Sequence, residues 1–211
     1  MSEPIEFEAF PKIPRYRREV ALTEKIDGTN AAIRIRAMAD LPESGSPLPI
    51  AVFPYIDQHG NDLGHHGIWA QSRSRFITPQ KDNYGFAGWV QRHAEELVKL
   101  GPGIHFGEWW GSGIQRGYEL REKRFSLFNV ARWQPDRQTP PACCHVVPLI
   151  GYLMPADINI ELEKLRRSGS LAAPGYMKPE GIIVWHSQSK QYYKVLIEND
   201  DIPKSQVGHG G

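Results

Sequence analysis

Apolar side chains recur at every second position in several short stretches of this chain, the mark of strands with one buried face. Residues 20–25 and 31–38 read as strands, the second alternating Ile33 and Ile35 with Arg34 and Arg36, and the Asp27-Gly28 turn joins them. Pro, Gly and Ser then fill residues 40–67 around a short apolar piece at 50–55, the pattern of a surface insertion or long hairpin. Strand character resumes at 68–72, delivers Arg73 and Arg75, and returns at 104–109, 125–131, 146–150, 181–186 and 191–197. Helical spacing is confined to two places. Asp82 and Asn83 are placed to cap a helix with Phe86, Trp89, Val90, Leu97 and Leu100 on its apolar face, closed by Gly101-Pro102. Residues 156–168 turn Ile158, Leu162 and Leu165 inward and Lys164, Arg166 and Arg167 outward, and Gly169 stops them. With no strand-helix-strand regularity and no internal repeat, the expected class is α+β with mainly antiparallel sheets flanked by helices.

The 211 residues suffice for a substantial core and suggest a single domain over the whole chain, its body at about residues 20–197. A net charge of +1 excludes a polybasic nucleic-acid binder, so any such binding must be local. Basic clusters occur at Arg15/Arg17/Arg18, Arg73/Arg75, Arg121/Lys123/Arg124 and Lys164/Arg166/Arg167, although such clusters are more often solvated faces. No apolar run is long enough to span a bilayer and the start lacks signal-peptide features, so the expectation is a cytoplasmic protein without a membrane partner. Cys143 and Cys144 are sequence neighbours and read as free thiols. His59, His65 and His66 have no cysteine or acidic ligand at a regular metal-site spacing.

The candidate chemistry is concentrated in Glu24-Lys25-Ile26-Asp27-Gly28-Thr29-Asn30. A lysine beside an acid and a glycine turn suits a covalent nucleophile, provided burial, other cations or a metal-bound phosphate activate an amine whose ordinary pKa is about 10.4. A hairpin with an exposed lysine explains the same residues. Four further segments follow in order: Phe106-Gly107-Glu108, Phe125 to Asn129, Glu180 to Val184 and Tyr193 to Leu196.

Taken together, these segments resemble the ATP-dependent RNA ligases of the covalent lysyl nucleotidyltransferase superfamily over about residues 20–197, with motif I wording similar to the RNA ligase 2 type. The resemblance implies an adenylation fold with a nucleotide cleft. Lys25 would attack the α-phosphate of ATP and carry AMP, which then passes to a 5′-phosphate end of RNA, at a free end or in a nicked duplex, before a 3′-OH seals the strand. In this scheme Glu24, Asp27, Gly28 and Asn30 support the nucleotide, with Gly28 allowing close backbone approach or a positive φ. One of Arg73 and Arg75 grips ribose or phosphate, Glu108 binds ribose, and Phe128 stacks on adenine. Glu180 holds Mg2+ or Mn2+ and assists the lysine, and Lys194 binds the AMP phosphate. Asn129 and Leu196 depart from the family's aspartate and second lysine, with Lys190 as the candidate substitute for the latter. Trp109, Trp110, Arg116, Tyr118 and Lys123 either track nucleic acid or pack in the core. The length implies no OB or sizeable C-terminal domain, which leaves a place for an accessory protein. Alternatives are a DNA nick ligase, a capping-type guanylyltransferase, or a non-catalytic nucleic-acid end-binding protein.

Overall fold

A computed structural model describes residues 6–40, 45, 47–134 and 136–198. Its strands are β1 (Val20–Lys25), β2 (Thr29–Ala37), β3 (Ala51–Ile56), β4 (Asp62–Ser72), β5 (Phe76–Ile77), β6 (Gly103–Gly111), β7 (Lys123–Leu127), β8 (Cys144–Val146), β9 (Leu149–Leu153), β10 (Gly181–His186) and β11 (Gln191–Leu196). The helices are α1 (Phe86–Arg92), α2 (Ala94–Leu97) and α3 (Ile158–Ser168). They form two sheets: a small one in the order β11-β10-β1-β9, and a large one in the order β3-β4-β2-β6-β7-β8, with β5 attached to β4. The class is α+β and the pairing antiparallel, except that β7 and β8 run parallel.

Each sheet packs one face into an apolar cluster, and β1 and the middle of β4 are buried on both faces. Ala31, Ile33 and Ile35 of β2 join Ile68 and Ala70 of β4 beneath Phe86, Trp89, Val90 and Leu97. Val20 and Leu22 of β1 join Ile182 and Val184 beneath Leu165 of α3. A third cluster of Ile26, Trp110, Tyr118, Val147 and Ala173 lies where the chain leaves β1. Among the described residues, no helix is long and apolar enough to cross a membrane.

Several elements differ from the sequence reading. The Asp27-Gly28 turn folds no hairpin. It carries the chain from β1 in the small sheet to β2 in the large one. The expected helix through Leu100 breaks at His93 (φ −109°, ψ 13°), where the ring Nδ1 lies 2.9 Å from the Trp89 carbonyl oxygen and a side chain competes with the helical ladder. The N-cap position falls at Gly85 and not at Asp82 or Asn83, but the Asp82 carboxylate still accepts the first-turn N–H groups of Ala87 at 2.7 Å and Gly88 at 2.9 Å. The strand expected over 125–131 stops at Leu127, because Asn129 opens a turn in which its Oδ1 accepts the Arg132 N–H at 3.0 Å. The 50–72 region is a hairpin whose turn is held by Asp57 Oδ1, which accepts from the N–H of His59 and of Asn61.

Candidate active site

Lys25 is the last residue of β1, and the register Lys25↔Gly181↔Leu196 places it beside the first residue of β10. Its ammonium donates to the carboxylate of Glu180, which immediately precedes β10. Gly181 is required there: at φ 155° an added Cβ would lie 2.2 Å from the Val195 carbonyl oxygen. Alternation puts Thr23 and Lys25 on one face of the small sheet, together with Ile183 and exposed Lys194.

The large sheet supplies the facing wall. Glu108 pairs in register with Asn30, and its Oε1 accepts the Gly28 N–H at 3.1 Å. Burial pushes the Glu108 carboxyl from an ordinary 4.5 up to about 7. The positive charge of Lys25 and the Gly28 N–H oppose the rise, while the negative charges of Glu180 and Asp27 add to it. Lys25, Glu180 and Asp27 therefore all act electrostatically on Glu108.

Gly28 is fixed by proximity and not by a positive φ. A Cβ there would meet the Trp109 carbonyl oxygen at 2.6 Å and Trp110 Cβ at 2.7 Å. The close approach is to β6, which lets the Ile26–Gly28 strap pass tightly over that strand. Asp27 is held from two sides: its N–H donates to the Tyr118 hydroxyl oxygen at 2.8 Å, and its Oδ2 accepts from Arg116 Nε at 3.0 Å. Arg116 also donates to the Lys178 carbonyl at 3.0 Å. Both grips come from a loop in which Gln115 (φ 47°), Tyr118 (φ 51°) and Glu119 (φ 56°) all adopt left-handed backbone, a costly conformation for residues with side chains. Desolvation raises the Tyr118 phenol above its usual range, which keeps it neutral against the neighbouring acids.

Of the residues expected from the sequence, Lys25, Asp27, Gly28, Asn30, Glu108 and Glu180 come together at the junction of the two sheets. Phe128 lies just past β7, half-buried against Ile26, Trp110 and Tyr118. Arg73 and Arg75 are exposed in the turn after β4, where Ser72 pairs with Ala31, so they lie at the Asn30 end of the sheet. Arg75 donates to the Lys81 carbonyl at 3.3 Å.

Glu24 stands apart. It points to the opposite face of β1 from Lys25, is 1% exposed, and accepts from Ser170 Oγ (2.6 Å) and from the N–H groups of Leu171 (2.7 Å) and Ala172 (2.8 Å). Desolvation raises its pKa, with those hydrogen bonds opposing. Strand alternation carried this signal, since consecutive residues cannot face the same cleft. Lys190 occupies the β10–β11 turn, about 20 Å along the strand from the Lys25 row, and cannot replace a cation at Leu196. Trp109, Trp110 and Tyr118 are core residues at 1–2% exposure, which leaves Arg116 to brace Asp27.

Oxygen donors at this junction suit a hard divalent cation, with Glu180 bonded to Lys25 and Glu108 within its electrostatic reach. Among the described residues, no three acidic, histidine or cysteine side chains form a cage for a metal ion. A cation held here would therefore take most of its ligands from water and substrate phosphate.

A family model described as RNA ligase matches residues 18–196. Two solved structures share the fold. An apo lysine-to-alanine mutant of a Naegleria gruberi RNA ligase aligns with a TM-score of 0.53 and 16% identity over 87% of this chain and 50% of that one. An apo aspartate-to-alanine mutant of a Naegleria gruberi RNA ligase gives 0.51 and 17% over 86% and 50%. The chain thus spans about half the length of the solved structures it matches. No curated protein matches it.

Proposed function

The chain belongs to the RNA ligase family, and from that premise we propose that it is an ATP-dependent RNA ligase whose nucleophile is Lys25. The observation that carries this reading is the placement of Lys25 against Glu180 where the two sheets meet, opposite Glu108 and beside Asp27. In the proposed first step Lys25 Nζ, having given up a proton, forms a bond to the α-phosphorus of ATP. The bond from that phosphorus to the bridging oxygen breaks, and pyrophosphate leaves. Glu180, already hydrogen-bonded to Nζ, is the acceptor for the lysine proton. AMP then passes to a 5′-phosphate of RNA, and attack by a 3′-OH seals the strand and releases AMP.

Several further assignments follow from position. Lys194 shares the Lys25 face and binds the nucleotide phosphate. Glu108 meets the ribose, Phe128 the base, and Asn30 with Arg73 or Arg75 the polar rim. Asp27 and Gly28 hold the strap that positions the lysine, and Glu24 anchors residues 170–172 beneath it. A Mg2+ or Mn2+ ion held through Glu180 would neutralise phosphate charge.

Intact mass of the full chain after incubation with ATP and Mg2+ tests the reading. One AMP adduct, absent from Lys25→Ala, not formed with GTP and discharged by 5′-phosphorylated RNA but not by DNA, is the expected result. No adduct, on protein first cleared of bound AMP with pyrophosphate, would refute it.

A further inference from the structure

The face of the large sheet that presents Glu108 and Asn30 continues away from Lys25 into a strip for which the proposed chemistry has no use. Register sets Ala32 opposite Phe106 and Arg34 opposite Ile104, and Arg36 follows on the same face of β2. The reverse face is buried under the helices, and on this one Ala32 and Trp69 are buried while the β6 side chains beside them reach the surface. Phe106 is 54% exposed and Ile104 40%, although β6 is an interior strand of its sheet. Burying a strip of this kind in the monomer would stabilise it, and nothing among the described residues covers these two side chains.

Past Phe106 the strip opens into a cavity of about 330 Å³ lined by Arg34, Arg36, Asp40, His66 and Ile104. Nε of Arg34 is buried and, among the described residues, has no hydrogen-bond partner. A buried donor left unpaired destabilises the fold, so an added acceptor close to this guanidinium would be favourable. Asp40 is the acid in the lining, and it forms no ion pair with either arginine among the described residues. His66 turns its Nδ1 toward the Gly64 carbonyl oxygen.

From the Asn30–Glu108 row the strand rise puts Phe106 about 7 Å, Arg34 about 13 Å and Arg36 about 20 Å along the face. An exposed ring followed by two guanidinium groups matches a single polynucleotide strand. The ring accepts a base by stacking, and the guanidinium forks accept phosphodiesters. We propose that Phe106, Arg34 and Arg36 form a strand-binding subsite on the outer face of the large sheet, which holds single-stranded RNA leading away from the reacting end. The identity of the strand rests on the ligase reading of the Lys25 site, but its binding can be measured without ATP.

The experiment is fluorescence anisotropy of the full chain with labelled, 5′-phosphorylated oligouridylates, a dinucleotide and a dodecamer, over a salt series. Phe106→Ala, Arg36→Gln and the double variant Arg34→Leu/Arg36→Gln are compared with wild type. In the double variant, dodecamer affinity is expected to fall at least about tenfold, and the slope of log K against log salt to flatten by about 1.4, the value for two lost single-strand phosphate contacts. Arg36→Gln, which changes an exposed side chain, flattens the slope by about 0.7. Phe106→Ala weakens the dodecamer by at least about fivefold with no change of slope. The dinucleotide, too short to reach the arginines, binds wild type and both arginine variants alike, and the AMP adduct forms in all of the variants. Unchanged dodecamer affinity and slope in both arginine variants would overturn the subsite even if the adduct forms. A wild type that binds the dodecamer in this manner without forming the adduct would leave the subsite standing and refute the ligase reading.

Discussion

Replacing Glu108 by glutamine isolates the energetic consequence of holding a carboxyl between the two sheets. Desolvation raises this group from 4.5 to about 7 in the folded chain, so the folded state keeps its proton over a range in which the unfolded state has released it. Protons are bound more tightly by the folded state, and the stability contributed by Glu108 is therefore full below about pH 4.5 and is lost as pH rises through about 7. At roughly 1.4 kcal/mol per pH unit, the full loss is about 3 kcal/mol. The amide of the Glu108→Gln variant cannot ionise, yet its oxygen can still accept the Gly28 N–H. Urea denaturation of both forms at about pH 5 and about pH 8 measures the effect, because groups common to both cancel in the difference. The two should be nearly equally stable at the lower pH, and Glu108→Gln should be more stable by up to about 3 kcal/mol at the higher one. A difference that does not change with pH would refute the argument that burial dominates at this carboxyl.

Two further outcomes follow from the geometry of the strap and its foundation. Gly28→Ala drives a Cβ to within 2.6 Å of a β6 carbonyl, which should destabilise the chain by about 1–3 kcal/mol and slow AMP-adduct formation; an unchanged urea midpoint would contradict the close approach. Glu24→Ala leaves the Leu171 and Ala172 N–H groups and the Ser170 hydroxyl without their acceptor, at about 3 kcal/mol or more. Hydrogen exchange at Leu171 and Ala172 should speed up in Glu24→Ala and recover largely in Glu24→Gln, and equal exchange in all three forms would refute the anchoring role.

The strands that pass through the site are legible in the sequence because their alternation is bounded by turn residues. β1 and β10 occupy the residues read from the pattern, 20–25 and 181–186. Alternation says which residues share a face but not which strand lies alongside. Neither the transfer of the chain between sheets at Asp27-Gly28 nor the parallel pairing of β7 with β8 is therefore visible in it. The helix break at His93 is hidden because the apolar spacing continues across it in Ala94 and Leu97. Within the site, the motifs locate the charged residues but not their supports. Arg116 and Tyr118 brace Asp27 from about 90 residues away in sequence, and local pattern carries no record of such a contact. Asn129 in place of an aspartate has a local explanation, since its amide oxygen caps the turn at Arg132.

Lys25 closes a strand of one sheet and Thr29 opens a strand of the other. The three residues between them extend at most about 10 Å. The separation of the two layers and the alignment of the proposed nucleophile are thus a single mechanical coordinate: prising the layers apart must drag the lysine or tear the strap from β6. A molecule wedged between the sheets would disarm Lys25 without touching it, and a pair of distance probes spanning the layers would report reactivity as directly as a probe on the lysine itself.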